Sequence, residues 1–329
     1  MPRFRNLDPS TPRGPGDILR WKVLDTIAGR RRKDRNEPFV TPRLDNDGAR
    51  LHAPDPSLTW IGHATFVLRL GGLVVATDPI WSERLATLKR SVAPGVALED
   101  LPPVDVVTIS HAHYDHLDLP TLRRLAAHTT RLRGTPPTFL VPTAVSRYLK
   151  GLGPIVECAW WEDHRVESAR GGVTFSLVPQ QHWSMRAPWD RDEALWGGWV
   201  MRSREGTAYH AGDTAWFGHF AEIAARKGPV DWAMLPFGAY DPQWFMKPQH
   251  MGPEEAGRAF VALAAKNLVC MHWGTFQLTD EPLGEPPARI ARWWREHGPG
   301  DAESDRLWTM SIGETRSLER VDRGDVISR

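Results

Sequence analysis

The hydrophobic and polar positions divide the chain into two parts. Residues 1–57 are rich in proline, arginine and aspartate, and within them only residues 17–33 show apolar positions at helical spacing. These apolar positions are Ile18, Trp21, Leu24 and Ile27. From residue 58 onward, short apolar runs alternate with amphipathic segments. The pattern therefore predicts an N-terminal arm with one short amphipathic helix (1–57), followed by one larger domain (58–329).

Strands and helices alternate along the larger domain. The strand-like runs are TWIGHATFVLRL, GLVVAT, VDVVTISH, TFLVP, VTFSLVP, GGWVMRS, TAYHAG, WAMLPF and LVCMHWG. Helix-like periodicity occurs over residues 119–127, 144–149, 217–226, 253–265 and 287–296. Because both halves contain strand–helix units, we expect a layered α/β architecture with a pair of mixed sheets flanked by helices.

The composition is typical of a soluble globular enzyme. The 329 residues are 41% hydrophobic and 25% charged, and their apolar runs are shorter than the roughly 18 residues that span a bilayer. The N-terminus also lacks the apolar run of a secretory signal, so we expect a cytoplasmic protein. Cys158 and Cys270 are too few for a disulfide framework or for a thiolate metal site.

The charge is concentrated in the arm. The formal net charge is +1, but residues 1–57 contain 12 Lys and Arg against 8 Asp and Glu, which leaves the remainder net negative. A negative catalytic domain does not suit nucleic acid as a partner. The basic residues that follow the apolar stripe of the arm are Arg30, Arg31, Arg32, Lys33 and Arg35.

This arrangement predicts peripheral contact of the arm with the inner face of the membrane, at a surface of anionic lipid. The alternative is that the stripe packs on the enzyme's own core. The sequence leaves the oligomeric state open, a homodimer included.

One short motif carries most of the chemistry. The run SHAHYDHLD follows the apolar strand VDVVTI and places His111, His113, Asp115 and His116 in one turn. Two histidines separated by one residue point the same way, while the next Asp-His pair faces a second position about 3.5 Å away. Imidazole and carboxylate at this density indicate a metal site with two ions.

Three further candidate ligands follow strands. His182 comes after VTFSLVPQQ, Asp213 after TAYHAG and His272 after LVCM. Five imidazoles and two carboxylates without a thiolate suit two Zn²⁺ ions best, although Mn²⁺ or Fe²⁺ would tolerate the same ligands. A non-catalytic metal-binding or scaffold protein would not need seven intact ligands, so we expect an enzyme.

The order of these motifs resembles the metallo-β-lactamase superfamily over residues 58–313. The resemblance implies an αββα sandwich with the site at one edge of the facing sheets. It also implies that His111, His113 and His182 hold one metal, that Asp115, His116 and His272 hold the other, and that Asp213 bridges them. The flavo-diiron branch has Glu at the second motif position, so His113 favours hydrolysis over reduction of oxygen or NO.

Longer stretches resemble the N-acyl-phosphatidylethanolamine-hydrolysing phospholipase D family and its bacterial relatives. They are TWIGHATFVL, ATDPIWSER, PQQHW, ALWGGWV, HAGDT, WFMKPQHMGPEEA and MHWGTF. This resemblance implies a phosphodiesterase that attacks an amphiphilic phosphodiester with a hydroxide shared by two metals. A weaker resemblance to the L-ascorbate-6-phosphate lactonase group leaves a lactonase or another metal-dependent carbonyl hydrolase as the alternative.

The resemblance also suggests roles for individual residues. Asp115, Asp213 and His250 are the candidate catalytic residues. The candidate substrate contacts are Gln249, His250, Arg186, Trp183, Trp216 and Tyr240. Gln249 and His250 match family positions that lie near the substrate phosphate. Arg186 follows the His182-Trp183 pair, close to the position at which the mammalian members of the family have a lysine. We further interpret Asp78 as a carboxylate that orients a ligand and His63 as a hydrogen-bonded histidine near the site.

Overall fold

The computed structural model describes residues 3–9, 14–31, 39–299 and 305–318. Its strands, in chain order, are β1 (Ser57–Gly62), β2 (Thr65–Leu70), β3 (Leu73–Thr77), β4 (Arg84–Leu85), β5 (Leu88–Lys89), β6 (Val106–Thr108), β7 (Thr138–Pro142), β8 (Ile155–Cys158), β9 (Asp163–Val166), β10 (Val173–Val178), β11 (Gly198–Arg202), β12 (Thr207–His210), β13 (Trp232–Pro236), β14 (Asn267–Met271), β15 (Leu307–Trp308) and β16 (Thr315–Ser317).

The described strands form two seven-stranded sheets and one small hairpin. The first sheet has the order β16-β1-β2-β3-β6-β7-β8, and the second has the order β15-β14-β13-β12-β11-β10-β9. Each sheet combines an antiparallel part with a parallel part, because hairpins join β1 to β3 whereas helical or long connections lead to β6 and β7. The mixed pair of sheets expected from the sequence is confirmed.

The helices lie outside the sheets. Their bounds are α1 (Pro15–Leu19), a π-helical turn (Arg20–Leu24), α2 (Asp25–Ile27), α3 (Ala49–His52), α4 (Leu119–Arg133), α5 (Phe220–Lys227), α6 (Gln243–Met246), α7 (Pro253–Ala262) and α8 (Glu285–His297). Short 3₁₀ turns cover Leu98–Asp100 and Ser146–Tyr148. The helix predicted over residues 144–149 is thus a single 3₁₀ turn.

Alternation along β2 shows how the layers are built. Phe66 and Leu68 belong to the core between the two sheets, whereas Val67, on the opposite face, packs in the core beneath α4 with Leu122 and Leu125. Because both faces of the strand are covered, apolar residues occupy four of the six positions of its sequence TFVLRL. The molecule therefore has the αββα layering that the family resemblance implies.

The arm helix, residues 15–27, packs on the domain through Trp21. Trp21 is buried against Phe245, with ring centroids 5.0 Å apart, and its indole N–H donates to Asp280 at 2.7 Å. Arg31 also contacts the Asp280 carboxylate, at 2.6 Å. The position of Trp21 therefore supports packing of this residue on the enzyme's own core and not contact of this residue with a membrane.

Other apolar side chains of the arm helix face solvent. Ile18 is 49% exposed, Leu24 55% and Ile27 80%. Among the described helices, none is long and apolar enough to cross a membrane. Arg32, Lys33 and Arg35 of the predicted basic cluster lie outside the described residues, and the boundary at residues 57 and 58 stays a prediction.

Candidate metal centre

The seven predicted ligands all follow the carboxyl ends of strands. The motif loop with His111, His113, Asp115 and His116 connects β6 to α4, and the other three ligands follow β10, β12 and β14. Since β12, β13 and β14 run parallel and β6 continues the parallel part of the facing sheet, these ends meet at one edge of the sandwich. The topology alone brings residues separated by up to 161 positions into one cluster.

His111, His113 and His182 form the first group of ligand atoms. His113 Nδ1 lies 2.8 Å from His111 Nε2 and 3.2 Å from His182 Nε2. Zn–N bonds of about 2.0–2.1 Å at tetrahedral angles place neighbouring ligand atoms about 3.4 Å apart. The three imidazoles therefore have nearly the spacing that a tetrahedral cation requires.

Asp115, His116 and His272 form the second group. The Nε2 atoms of His116 and His272 each lie 3.6 Å from Asp115 Oδ2. His63 joins this group from the loop between β1 and β2, with its Nε2 atom 3.1 Å from the same carboxylate oxygen. We interpret His63 as a partner that orients Asp115, in agreement with the interpretation from the sequence.

Asp213 lies between the two groups. Its Oδ1 atom is 3.0 Å from His272 Nε2, and its Oδ2 atom is 3.3 Å from His116 Nε2. The same Oδ2 atom is 3.8 Å from His182 Nε2 of the first group. One carboxylate thus reaches both groups, which is the arrangement of a bridging ligand.

The polar atoms that converge here fit a cation. The Nε2 atoms of His116 and His272 and the Oδ1 atom of Asp213 are buried and have no hydrogen-bond partner among the described residues. Buried polar atoms without partners are rare because each costs about 1–3 kcal/mol of desolvation. A metal ion satisfies all of them at once, so the donor set fits a metal centre.

The hydrogen bonds around the cluster fix the histidine tautomers. His116 Nδ1 donates to Asp78 Oδ2 at 2.7 Å, and His182 Nδ1 donates to the carbonyl of Gln249 at 2.8 Å. Ser110 Oγ donates to Asp78 at 2.6 Å, which leaves His111 Nδ1 to donate to Ser110 at 2.9 Å. All three imidazoles therefore direct Nε2, the nitrogen that would bind a metal, toward the site.

Comparisons with known proteins place the chain in a family. Residues 74–273 match the family model of the β-lactamase superfamily domain. The chain belongs to the metallo-β-lactamase superfamily. It is 34% identical over 246 residues to N-acyl-phosphatidylethanolamine-hydrolyzing phospholipase D 1 of Caenorhabditis elegans, an alignment that covers 70% of this chain and 68% of that protein.

Two other relatives agree with this assignment. A metal-dependent hydrolase of Nitratidesulfovibrio vulgaris is 28% identical over 276 residues, covering 81% of this chain and 97% of the relative. The solved structure of a metallo hydrolase from Ignicoccus hospitalis superposes with a TM-score of 0.60 at 24% identity, covering 80% of this chain and 99% of that chain, and thus shows the same fold. The chain described here is, like these proteins, a metal-dependent hydrolase.

The electrostatics of this metallo-β-lactamase-fold site divide the histidines into two classes. Burial lowers the pKa of His111 and His182 well below the usual range and that of His113 to about 4. Burial also disfavours charge on His116 and His272, but Asp213 and Asp115 outweigh it. They raise the pKa of His272 to about 9 and that of His116 well above its usual range. Without a metal, protons occupy the second group of ligands.

We therefore expect metal binding to release protons. At neutral pH His116 and His272 are protonated in the metal-free protein, and a metal can bind only after their protons leave, so uptake of metal should release about two protons per chain. The pKa of His272 lies near 9, so apparent metal affinity should rise with pH up to that value. Zinc titration calorimetry in two buffers with different ionisation enthalpies measures the released protons. An apparent affinity that stays constant between about pH 6 and pH 8.5 would contradict this linkage.

Three of the six predicted substrate contacts lie beside the metal centre. The ring of Trp183 lies 4.4 Å from that of His113, and Trp183 and Gln249 line a cavity beside the cluster. His250 Nδ1 is 3.9 Å from Asp213 Oδ2, and burial lowers the pKa of this imidazole to about 4. The structure thus brings Gln249, His250 and Trp183 to the metal centre.

The other three predicted substrate contacts, Arg186, Tyr240 and Trp216, interact with residues elsewhere. Arg186 donates to the carbonyl of Leu117 at 2.5 Å, so its guanidinium supports the ligand loop. Tyr240 is buried, and its hydroxyl donates to Glu285 at 2.8 Å, which turns it away from solvent. Trp216 is partly exposed and lies beside Phe220. None of the three lines the cavity beside the cluster in the part of the chain that the structure describes.

One residue near the site has no motif in the sequence. Asn6 donates from its amide nitrogen to the carbonyl of His182 at 2.8 Å and accepts from the backbone N–H of His182 at 3.1 Å. It also accepts from the Trp196 indole at 3.2 Å. A single asparagine in a Pro- and Arg-rich arm resembles any loop residue, so only the fold identifies it as a support for this ligand.

Proposed function

We propose that this hydrolase is a phosphodiesterase of the phospholipase D type that uses two Zn²⁺ ions and acts on N-acyl-phosphatidylethanolamine or a closely related amphiphilic phosphodiester. The observation that carries the proposal is the pair of ligand groups joined by Asp213, with Gln249 and His250 directly beside them. The similarity to the Caenorhabditis elegans phospholipase D supports the choice of substrate class.

The donor set assigns each ion its ligands. One ion would be held by His111, His113 and His182. The other ion would be held by Asp115, His116 and His272, and Asp213 would contact both ions. When bound, two such ions lower the pKa of a shared water toward neutrality and neutralise the developing charge of a phosphoryl group.

The protein's own groups then position the substrate. His250 is 12% exposed at its side chain and neutral at pH 7, since burial lowers its pKa to about 4. A neutral imidazole donates one hydrogen bond, which suits a phosphate oxygen or the oxygen of the departing alcohol. The Gln249 carbonyl fixes His182, so the same loop connects substrate binding to a metal ligand.

A comparison of three substrates tests the proposed function. The zinc-loaded protein should hydrolyse a long-chain N-acyl-phosphatidylethanolamine in detergent micelles with a kcat/KM at least about 100-fold above that for bis(p-nitrophenyl) phosphate, because remote apolar contacts contribute binding energy at the transition state. Mass spectrometry of the released N-acylethanolamine measures the reaction.

The other outcomes are equally informative. Good cleavage of the small diester with no cleavage of the lipid would refute the lipid substrate and leave a metal-dependent phosphodiesterase. Cleavage of a sugar lactone but of neither diester would replace the proposal with the lactonase alternative, which uses the same metal centre on a carbonyl group.

We also propose that the arm helix contacts the surface of an anionic membrane. Its exposed apolar residues Ile18, Leu24 and Ile27 lie beside exposed Arg20 and Arg30. An apolar stripe bordered by basic residues is typical of helices that lie in the lipid interface, and each basic residue adds about 1 kcal/mol near anionic lipid. This position would deliver a lipid substrate to the domain on which the helix packs.

Replacement of this stripe should weaken membrane binding. We expect the triple variant I18S/L24S/I27S to bind vesicles of anionic phospholipid at least about tenfold more weakly than the wild type in sedimentation assays. L132S is the matched control, because Leu132 is 44% exposed but lies on α4, outside the arm. Equal vesicle binding by the triple variant and the wild type would refute the contact.

A further inference from the structure

A cavity of about 510 Å³ lies between the N-terminal segment, residues 3–9, and the metal centre. His182 and Gln249 form part of its wall, and both also belong to the cluster or its support. A molecule in this cavity is therefore directly adjacent to the first group of metal ligands. We call this space the arm cavity.

Every second residue of the N-terminal segment, residues 3–9, contacts the domain and holds the segment in place. Phe4, Asn6 and Asp8 are partly buried, whereas Arg3, which precedes them, and Arg5, between Phe4 and Asn6, are exposed. The backbone N–H of Phe4 donates to the carbonyl of Asp192 at 2.8 Å, and Asn6 makes two hydrogen bonds to the backbone of His182. The segment thus runs as an extended strap along the cavity, and Arg3 and Arg5 are held at its wall.

The strap is also held at its other end. Asp8 Oδ1 lies 3.2 Å from His219 Nε2, and its Oδ2 atom accepts from the backbone N–H of Gly218 at 3.3 Å. The backbone carbonyl of Asp8 accepts from the Gln181 amide, one residue before the ligand His182. The charge of Asp8 is thereby occupied by contacts outside the cavity.

The arm cavity contains a surplus of positive charge. Arg3, Arg5 and Arg191 line it, together with the carboxylates of Asp8 and Asp192. Asp192 lies 3.6 Å from Arg191, and Asp8 pairs with His219. Asp192 also interacts electrostatically with Arg3, and the three arginines outnumber the two carboxylates, which leaves the wall net positive. Guanidinium groups are the preferred partners of carboxylate and phosphate oxygens.

Aromatic rings form the apolar part of the same cavity. Trp183 and Trp196 line it with Phe4, and the Arg191 guanidinium lies 4.1 Å over the Trp183 ring. Such a pocket suits an organic group that carries an anion, rather than a free inorganic ion that offers no apolar surface.

From these contacts we infer that the strap forms a subsite for a second anionic group of the substrate, in addition to the phosphodiester at the metals. Arg3 and Arg5 recognise a carboxylate or phosphate on the alcohol that leaves in the reaction. The inference rests on the proposed function for the reaction at the metals, and among the related amphiphilic phosphodiesters it favours those whose leaving alcohol is an N-acylserine over an N-acylethanolamine. It makes the enzyme selective for head groups with an extra negative charge.

Two probes that differ by one carboxylate test the subsite. In titration calorimetry with the full-length zinc-loaded protein, N-lauroylserine should bind about tenfold more tightly than N-lauroylethanolamine. The double variant R3Q/R5Q should remove this difference, because glutamine keeps side-chain polarity but loses the charge. R123Q/R124Q, which removes two exposed arginines from α4, should keep it.

Three results would overturn the inference. They are equal binding of both probes by the wild type, no binding of either, and a preference for N-lauroylserine that persists in R3Q/R5Q, which would assign the carboxylate to the metals. Turnover separates this failure from that of the proposed function. If arginine-dependent binding occurs but no phosphodiester is cleaved, the proposed function fails while the subsite stands.

The same double variant gives a kinetic readout. The ratio of kcat/KM for N-acyl-phosphatidylserine over N-acyl-phosphatidylethanolamine should fall about tenfold in R3Q/R5Q and stay unchanged in R123Q/R124Q. A ratio that is the same in the wild type and in R3Q/R5Q would also contradict the subsite.

Discussion

Replacement of Asp213 by alanine is expected to lower hydrolysis about 1000-fold or more and to leave the protein folded. The carboxylate lies within 4 Å of the Nε2 atoms of histidines from both ligand groups, so its loss removes the bridge between the two metal positions. The remaining histidines would still hold metal, but with a changed separation. Metal analysis should give about two zinc ions per chain in the wild type and fewer in the variant.

A matched histidine variant serves as the control for this prediction. His111→Ala should cause a comparable loss, because it removes a ligand of the first group, whereas His164→Ala should retain activity, because His164 lies on β9 outside the cluster. Far-ultraviolet circular dichroism checks that all three variants fold. Fewer than one metal per chain in active wild-type protein, or full activity of Asp213→Ala, would contradict a dinuclear centre.

Asp78→Asn should lower metal affinity or activity about 10- to 100-fold, although Asp78 does not reach the metal positions. Its Oδ2 atom accepts from His116 Nδ1 at 2.7 Å and from Ser110 Oγ at 2.6 Å, and its Oδ1 atom accepts from the Ser110 N–H at 2.7 Å. An asparagine amide group cannot accept at both positions. His116 would then lose the partner that fixes its tautomer, and Ser110 would lose its hold on His111.

Asp118 offers a closely matched control for this substitution. It is also a buried carboxylate, and it accepts from Ser82 Oγ and Thr121 Oγ1, both at 2.6 Å, without touching a ligand. Asp118→Asn should therefore lower thermal stability without weakening zinc affinity. If both variants lose zinc affinity equally, the effect of Asp78 is general destabilisation and not support of the ligands.

Buried contacts connect the arm to the catalytic domain despite its distance in sequence. Trp21 and Arg31 fix the arm helix through one buried carboxylate, Asp280, while Asn6 fixes the strap to His182. The arm, which has the sequence of a polar extension, thus packs one face on the domain and exposes the other to solvent. The proposed membrane contact and the proposed anion subsite use different parts of this arm.

The sequence by itself identified the residues that the structure gathers in one His/Asp cluster, and the family resemblance implied the layering. Each ligand follows an apolar run, and strands of alternating or continuous hydrophobicity must pack into sheets whatever their order. His111, His113 and His116 are local neighbours, so their convergence needs only a turn. The short strands β8, β9, β15 and β16 escaped prediction because partly exposed strands of two to four residues have too little pattern to detect.

Only the tertiary structure decided which polar and aromatic residues reach the site. Trp21 and Tyr240 look like lipid contacts in the sequence, but each is buried with a hydrogen bond to a carboxylate, Asp280 and Glu285 respectively. Asn6 contacts His182 across 176 positions of sequence. The physical reason is that periodicity reports whether a residue is covered, whereas the identity of the covering group depends on contacts between distant segments that no local pattern contains.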